Sequence, residues 1–399
     1  MKLLDITTKN NVLESMATLL DKHREAILTA NKKDVAAFQK EDQAMLDRLI
    51  VNHQKIDGMI QAINEVKAQE DPVNQIISHK NLDNGLQVTN KTAPFGTIMI
   101  IYESRPDVTI EAAVLAFKAN NKILLKGGKE AIKSNLILVD LWHKALTENN
   151  LSTNYIKLMQ LNRTETQAFL KNPSEPLDLI VPRGGERLIN FVKEHATCAV
   201  LVSGRGNNFL YVDAHADWQK TLTVIINAKT DKISACNALD KILINKNIEN
   251  FELKVKELQA VLREKKVTIL VDEDIQKVLA DQPLITDASI WQQEFLELKC
   301  CIGAVDNVAQ AITMINQFSG GHSASIMTTN TENANNFMEQ VDCAAVYKNA
   351  STRFTDGGQL GVGAELAIST DKLHHRGPLG LKELVTNKYY IIGEGHIRN

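Results

Sequence analysis

The chain has 399 residues, 44% hydrophobic and 23% charged, with 45 basic against 48 acidic side chains and a formal net charge of −3. That length exceeds one ordinary core and predicts two or three domains. The near balance of charge excludes the basic face that neutralises nucleic-acid phosphates, and no apolar run reaches the roughly 18 residues that would predict a membrane span.

Helices are predicted over residues 1–70, where Val12, Met16, Leu19 and Leu20 recur at helical spacing between polar neighbours. The opening MKLLDITTKNNV turns polar too early for a secretory leader. Asn84-Gly85 ahead of Leu86–Thr89 is a tight-turn signal and predicts an exposed hairpin near 78–94. Thr97–Tyr102 (TIMIIY) is continuously apolar, the pattern of a strand buried on both faces. Then come a helical Val108–Asn120, a short strand Lys122–Leu125 and a helical 130–148. Tyr155–Met159, Asp178–Val181, Cys198–Val202 and Phe209–Val212 are further strands with helix-like stretches between them. A second series has strands at Lys241–Ile244, Val267–Val271, Leu298–Val305 and Ser325–Met327, with helices at 249–263, 307–318 and 331–339. Alternating strands and helices predict two consecutive α/β domains with parallel sheets, meeting near residues 229–236. Lys388–Ile392 (KYYII) is β-prone. It is either an edge strand of its own chain or, the sharper expectation, a strand lent to a partner subunit.

The cysteines are Cys198, Cys236, Cys300, Cys301 and Cys343. An odd number without a C-x-x-C pair argues against a disulfide scaffold or a thiolate zinc site and predicts a reduced, cytoplasmic protein. Cys236 lies among small residues in Ile233–Leu239 (ISACNAL), near the expected domain boundary. Small neighbours leave room for a substrate. A helix beginning there would supply amides that lower a thiol pKa and hold an oxyanion, with the Asn237 side chain as a further donor.

Anion-binding candidates surround it. Lys126-Gly127-Gly128 and Arg183-Gly184-Gly185 each follow a strand and precede a helix, the geometry that holds phosphates at a helix N-terminus. Gly204-Arg205-Gly206-Asn207-Asn208 lacks the third glycine of a dinucleotide fingerprint and precedes a strand instead of following one, so it is set aside. Ser104-Arg105 closes a buried strand, and Thr352-Arg353 with Asp356-Gly357-Gly358 brings an arginine beside glycines. Arginine forks of this kind suit carboxylates and phosphates. His374-His375-Arg376 adds cationic groups without an acidic cluster, so no metal is expected.

IYESRPDVTIEAA (101–113), LLKGGKEAIKSN (124–135), VPRGGERL (181–188), SACNALDKILI (234–244), NASTRFTDGGQLGVGAELAIST (349–370) and LHHRGPLGLKEL (373–384) together resemble the γ-glutamyl phosphate reductase (glutamate-5-semialdehyde dehydrogenase) branch of the aldehyde dehydrogenase superfamily. The resemblance is collinear and covers nearly the whole chain. It implies an aldehyde-dehydrogenase-like α/β fold with a small β oligomerisation element. In that arrangement residues 1–230 form an NADPH-binding Rossmann-like domain and 231–365 a catalytic domain. Residues 366–399 return to the cofactor domain and end in an oligomerisation strand. It also implies NADPH as cofactor and L-glutamate 5-phosphate as substrate, in proline biosynthesis. A homodimer or larger homo-oligomer, and association with glutamate 5-kinase, are the partners it suggests.

Carried over by position, Cys236 matches the nucleophile, with Asn237 beside it. Lys126, Gly127 and Gly128, then Arg183, Gly184 and Gly185, match the cofactor loops. Glu294 matches a carboxylate near the nicotinamide ribose. Ser104 stands where ordinary aldehyde dehydrogenases place an oxyanion-hole asparagine. Arg105, Thr352, Arg353, Asp356, Gly357 and Gly358 match substrate-binding segments. Two departures stand out. Leu201–Gly206 holds no carboxylate where hydrolysing members keep a general base, which favours acyl-phosphate chemistry over thioester hydrolysis. Asn208-Phe209 replaces a stretch that usually contains histidine. The alternatives are a coenzyme-A-acylating aldehyde dehydrogenase and a non-catalytic protein on the same fold.

Overall fold

The computed structural model describes residues 2–39 and 42–398. The chain forms two compact units, Met1–Val202 with Gly361–Ala367 and Leu379–Asn399, and Ser203–Leu360 with Ile368–Pro378.

In the first unit four helices come first, α1 (Ile6–Lys22), α2 (Arg24–Ala36), α3 (Gln43–Leu49) and α4 (His53–Ala68). Asp5 and Asn52 begin α1 and α4 by accepting from Thr8 N and Lys55 N, satisfying donors that a helix start leaves unpaired. A hairpin follows, β1 (Ile76–Asn81) and β2 (Gln87–Pro94), turned at Gly85 with φ 91°. Then the chain alternates: β3 (Thr97–Tyr102), α5 (Pro106–Lys118), β4 (Lys122–Lys126), α6 (Ile132–Glu148), β5 (Ile156–Leu158), α7 (Arg163–Lys171), β6 (Leu179–Arg183), α8 (Glu186–His195) and β7 (Ala199–Val200). The unbroken apolar run of β3 has the predicted cause. Ile98, Ile100 and Tyr102 pack with the N-terminal helices, while Met99 and Ile101 pack on the opposite face with Phe169, Leu170 and Val192. Each such fully buried side chain contributes about 1.5–3 kcal/mol, so a carboxylate at Ile100 would disrupt the unit.

The second unit continues with β8 (Asn208–Val212), α9 (Trp218–Thr230), β9 (Leu239–Asn245), α10 (Phe251–Glu264), β10 (Thr268–Val271), α11 (Glu273–Gln276), β11 (Lys299–Val305), α12 (Val308–Phe318), β12 (Ser323–Met327), α13 (Thr331–Gln340) and β13 (Ala345–Lys348). Its sheet is wholly parallel in the order β10-β11-β9-β8-β12-β13. A two-residue pair, β14 (Ile368–Ser369) with β15 (Gly377–Pro378), completes this unit, and β16 (Val385–Ile392) lies in the first.

The boundaries differ from those read in the sequence. Residues 203–230 belong to the second unit, because β8 sits inside that sheet between β9 and β12. The tail divides as well: 368–378 packs in the second unit, and 379–399 in the first. The KYYII segment lies at an edge of a sheet of its own chain. β16 pairs antiparallel with β2 of its own chain from Val385↔Pro94 to Ile392↔Gln87, forming an edge of the sheet β1-β2-β16. Among the described residues no helix is long and apolar enough to cross a membrane.

Candidate active site

The first unit's parallel sheet runs β5-β4-β3-β6-β7, which is 3-2-1-4-5 in the chain order of its strands. From β3 the connections leave one way toward β4 and the other way toward β6. Doubly wound sheets bind ligands beyond the carboxyl ends of strands at such a switch point. Pairing sets Ile101 opposite Lys126 and Tyr102 opposite Arg183. The structure therefore gathers Ser104, Arg105, Lys126–Gly128 and Arg183–Gly185 on one sheet edge.

Helix α8 starts directly after Gly185, its N-cap, with no side chain capping it. A Cβ added to Gly185 would meet nothing within 4 Å. An uncapped, positively polarised helix end with open space before it suits a pyrophosphate, so a dinucleotide fits this edge. Arg183 is anchored beside it, Nη1 donating to Leu366 O.

The turn at Gly127-Gly128 behaves differently from expectation. Asp34 of α2, 3% exposed, accepts from Lys133 N (3.1 Å), Ser134 N (2.7 Å) and Ser134 Oγ (2.7 Å). The N-terminus of α6 is thus already filled by a carboxylate and cannot also seat a phosphate. Gly127 is needed for packing, since a Cβ there would lie 2.2 Å from Asn135 Nδ2. Lys126 remains at the edge, its Nζ donating to Gly127 O at 3.0 Å. Burial pushes its ammonium pKa down, partly countered by Glu130.

Ser104 is 1% exposed and held at φ 38°, a strained conformation for serine. Its N–H and Oγ both donate to Glu130 Oε1, at 3.0 and 2.7 Å. That hydroxyl proton is spent, so Ser104 does not present the free donor expected of it. Arg105 Nη2 pairs with Asp107 Oδ2 at 2.8 Å. Burial would push the Asp107 carboxyl up, but Arg105, with Lys55 and Arg183, outweighs it and holds the carboxyl below its usual range.

In the second unit Cys236 lies in the loop between α9 and β9, at the amino edge of the sheet. No helix begins there, which corrects the expected helix-end activation. Turn hydrogen bonds shape the loop, from Ala235 N to Lys232 O (3.1 Å) and from Ala238 N to Ala235 O (3.0 Å). Cys236 is half-buried. Burial pushes the thiols of Cys300, Cys301 and Cys343 up to about 12, 11 and 11, and that of Cys198 upward too. Those four stay protonated near neutrality, and a protonated thiol is a poor nucleophile.

Asn237 is 4% exposed, and its Nδ2 donates to Arg353 O (3.1 Å) and Thr355 O (3.0 Å). Thr352 Oγ1 donates back to Asn237 O at 2.8 Å. With both amide hydrogens committed, Asn237 stitches two loops together and is not the oxyanion donor expected. The stitch brings Arg353 to the Cys236 loop, where its Nε also pairs with Asp231 Oδ2 at 3.0 Å. Asp356 Oδ1 accepts from Gly358 N (3.0 Å) and Gln359 N (3.2 Å), shaping the turn of buried Gly357 and exposed Gly358. Glu294 is half-buried between two clamps: Lys241 Nζ donates to Gln293 O (2.7 Å) and Phe295 N to Asp240 Oδ2 (2.9 Å). Among the described residues no group of three or more His, Cys, Asp or Glu side chains is placed to hold a metal.

The profile of the aldehyde dehydrogenase family matches residues 1–276 and 282–364. The chain belongs to the aldehyde dehydrogenase family. It is 41% identical over 401 residues to a γ-glutamyl phosphate reductase of Persephonella marina, covering 98% of this chain and 89% of that one. The crystal structure of a γ-glutamyl phosphate reductase from Thermotoga maritima superposes with a TM-score of 0.94 at 40% identity, covering 99% of this chain and 95% of the other. An acetylating aldehyde dehydrogenase from Geobacillus thermoglucosidasius has a TM-score of 0.69 at 16% identity, covering 99% and 94%, and shares the fold. Membership in the aldehyde dehydrogenase family makes the chain an oxidoreductase and implies a nicotinamide cofactor.

Within this aldehyde dehydrogenase fold, sequence reasoning missed what supports the nucleophile loop from below. Gly206 was set aside as part of a failed fingerprint, yet a Cβ there would lie 2.0 Å from Cys236 O. Asn208 registered only as a departure, and His322 and Ser323 not at all. The one available signal was polar residues opening otherwise apolar strands.

Proposed function

We propose that the chain reduces L-glutamate 5-phosphate to L-glutamate 5-semialdehyde, releasing phosphate, in proline biosynthesis. The observation that carries this reading is Cys236, a half-buried loop cysteine stitched through Asn237 to the Arg353 loop, in a chain 41% identical to a protein named γ-glutamyl phosphate reductase.

The Cys236 thiolate attacks the acyl carbon, forming a C–S bond. The acyl C–O bond to phosphate then breaks, and the electron pair leaves with the phosphate. Backbone amides near Cys236 stabilise the oxyanion, since the Asn237 side chain is already engaged. Arg353 and Arg105 are assigned to the substrate's phosphate and α-carboxylate, and Thr352 orders the backbone of the nucleophile loop. NADPH, assigned to Lys126, Arg183, Gly184 and Gly185 with Glu294 toward the ribose, supplies the hydride when bound. The chain's part afterwards is to release the aldehyde by breaking the C–S bond. The stretch Leu201–Gly206 holds no carboxylate to activate water against the thioester, which favours reduction over hydrolysis.

The same reading assigns self-association to the sheet β1-β2-β16, which carries exposed Ile76, Ile77, Tyr389, Ile391 and Ile392. Sedimentation of Ile391→Lys tests it, with a smaller species expected.

The reverse reaction tests the main reading. Semialdehyde, NADP⁺ and phosphate are mixed and the absorbance of reduced nicotinamide is followed, with Cys236→Ser alongside. Phosphate-dependent reduction, abolished in the variant, is expected. Dependence on coenzyme A would replace this reading with the acylating one, and silence of the parent enzyme would favour a non-catalytic protein.

A further inference from the structure

The nucleophile loop enters β9 without a helix, so something else must fix its backbone. Asn208, the first residue of β8, is fully buried directly beneath it. Its Nδ2 faces Cys236 O (2.7 Å), Ala238 O (2.7 Å) and Gly206 O (2.8 Å), its two hydrogens shared among the three carbonyls. Three carbonyls can only accept, so the atom facing them must be the amide nitrogen and the other side of the amide must be oxygen. That oxygen accepts from Ser323 Oγ (2.5 Å) and contacts His322 Nδ1 at 3.0 Å. Since an amide oxygen cannot donate, the proton of the second bond resides on His322 Nδ1. His322 is fully buried, and burial pushes its pKa down to about 4. The ring is therefore a neutral Nδ1–H tautomer near neutral pH. Its Nε2 is buried without a hydrogen-bond partner.

The chain of bonds runs in one sense, from His322 and Ser323 into Asn208 Oδ1 and from Asn208 Nδ2 into the carbonyls that flank the thiol. Polarised networks of this kind strengthen each member. All peptides here are trans. Fixing the Cys236 carbonyl toward Asn208 therefore turns the N–H of the same peptide, that of Asn237, the opposite way.

We propose that Asn208 and His322 are positioning residues for Cys236: His322 fixes the amide of Asn208, and Asn208 fixes the peptide planes on either side of the thiol. Neither touches substrate. The proposal rests on Cys236 being the nucleophile. It assigns a role to an asparagine in the stretch Asn208–Leu210, where a histidine was expected.

The test compares His322→Asn, whose amide nitrogen falls near the Nδ1 position and keeps the donor, with His322→Leu, which removes it. Asn208→Leu and Cys236→Ser complete the set. Two readouts are taken on the full chain: kcat and KM separately, and the rate of Cys236 alkylation by iodoacetamide, located by peptide mass, with melting curves to correct for folded fraction. Misplacing a reacting group by about 1 Å can cost about a hundredfold in rate. His322→Leu and Asn208→Leu are expected to lose at least roughly tenfold in kcat with KM within about twofold, and to change the alkylation rate. His322→Asn is expected to recover most of both. The proposal is overturned if His322→Leu keeps parental kcat and alkylation. It is equally overturned if His322→Asn is as impaired as His322→Leu in both readouts. If instead Cys236→Ser stays active, the nucleophile assignment fails, a result distinct from either.

Discussion

Replacing Gly206 with alanine is the sharpest mechanical probe of the nucleophile loop. The new Cβ would lie 2.0 Å from Cys236 O and 2.6 Å from its carbonyl carbon and Cα, whereas real Cβ atoms essentially never approach below 3.0 Å. All three obstacles are backbone atoms, so no side chain can swing aside. Gly206 has no positive φ, so backbone strain does not enter and the effect comes from contact alone. Relief requires the Cys236 backbone, or the 204–207 strand entry, to move by about 1 Å. Overpacking of this size costs about 1–3 kcal/mol of stability. With Cys236 as the proposed nucleophile, displacing its sulfur by a comparable distance is expected to lower kcat by up to about a hundredfold. The assay is initial rates with saturating substrates, with the folded fraction fixed by a thermal melt in parallel. A variant that melts within a degree or two of the parent and keeps kcat within about threefold would refute the claim that Gly206 sets the position of Cys236.

Three further outcomes follow from the geometry. His322 has its pKa lowered from 6.5 to about 4 by burial, so the unfolded chain binds this proton more readily. Its stabilising contribution is full above pH 6.5 and is lost as pH falls through about 4, at most about 3 kcal/mol; denaturant melts across that window should steepen for the parent and flatten for His322→Asn. Asp34→Ala leaves the buried amides of Lys133 and Ser134 and the Ser134 hydroxyl without their acceptor, and should lower stability by about 2–4 kcal/mol in urea titration. Gly185→Ala should melt like the parent, because its Cβ meets nothing, yet raise the KM for the nicotinamide cofactor several-fold; an unchanged KM would remove Gly185 from the proposed cofactor assignment.

Much of the fold was legible because both sheets announce themselves in one dimension. A strand covered on both faces must be largely apolar, and TIMIIY is so except at Thr97, and the 239–245 strand except at Asp240, Lys241 and Asn245. The helices between them carry the 3.6-residue period and, at Asn162 and Glu165, a complete capping box. β13 went unrecognised because AVYK is short and only half-buried, which weakens its pattern. The split of the units at residue 202 was also unreadable. Which sheet a strand joins depends on its neighbours in space, and β8 reads the same in either sheet.

At the candidate site, the sequence by itself determined which groups are proposed to react or bind: a cysteine among small residues, basic glycine turns after strands, an arginine beside glycines. These are local choices of side chain and backbone freedom. Tertiary structure decided which of them are available. It filled one expected anion site with Asp34, from a helix about a hundred residues upstream. It spent Ser104 on Glu130 and Asn237 on the Arg353 loop. It placed Cys236 in a loop leading into a strand, not at a helix start, and put Asn208, His322 and Gly206 beneath it. Hydrogen-bond partners distant in the chain leave no periodic trace in the sequence, and a buried polar group is satisfied by whichever partner the packing brings within about 3 Å.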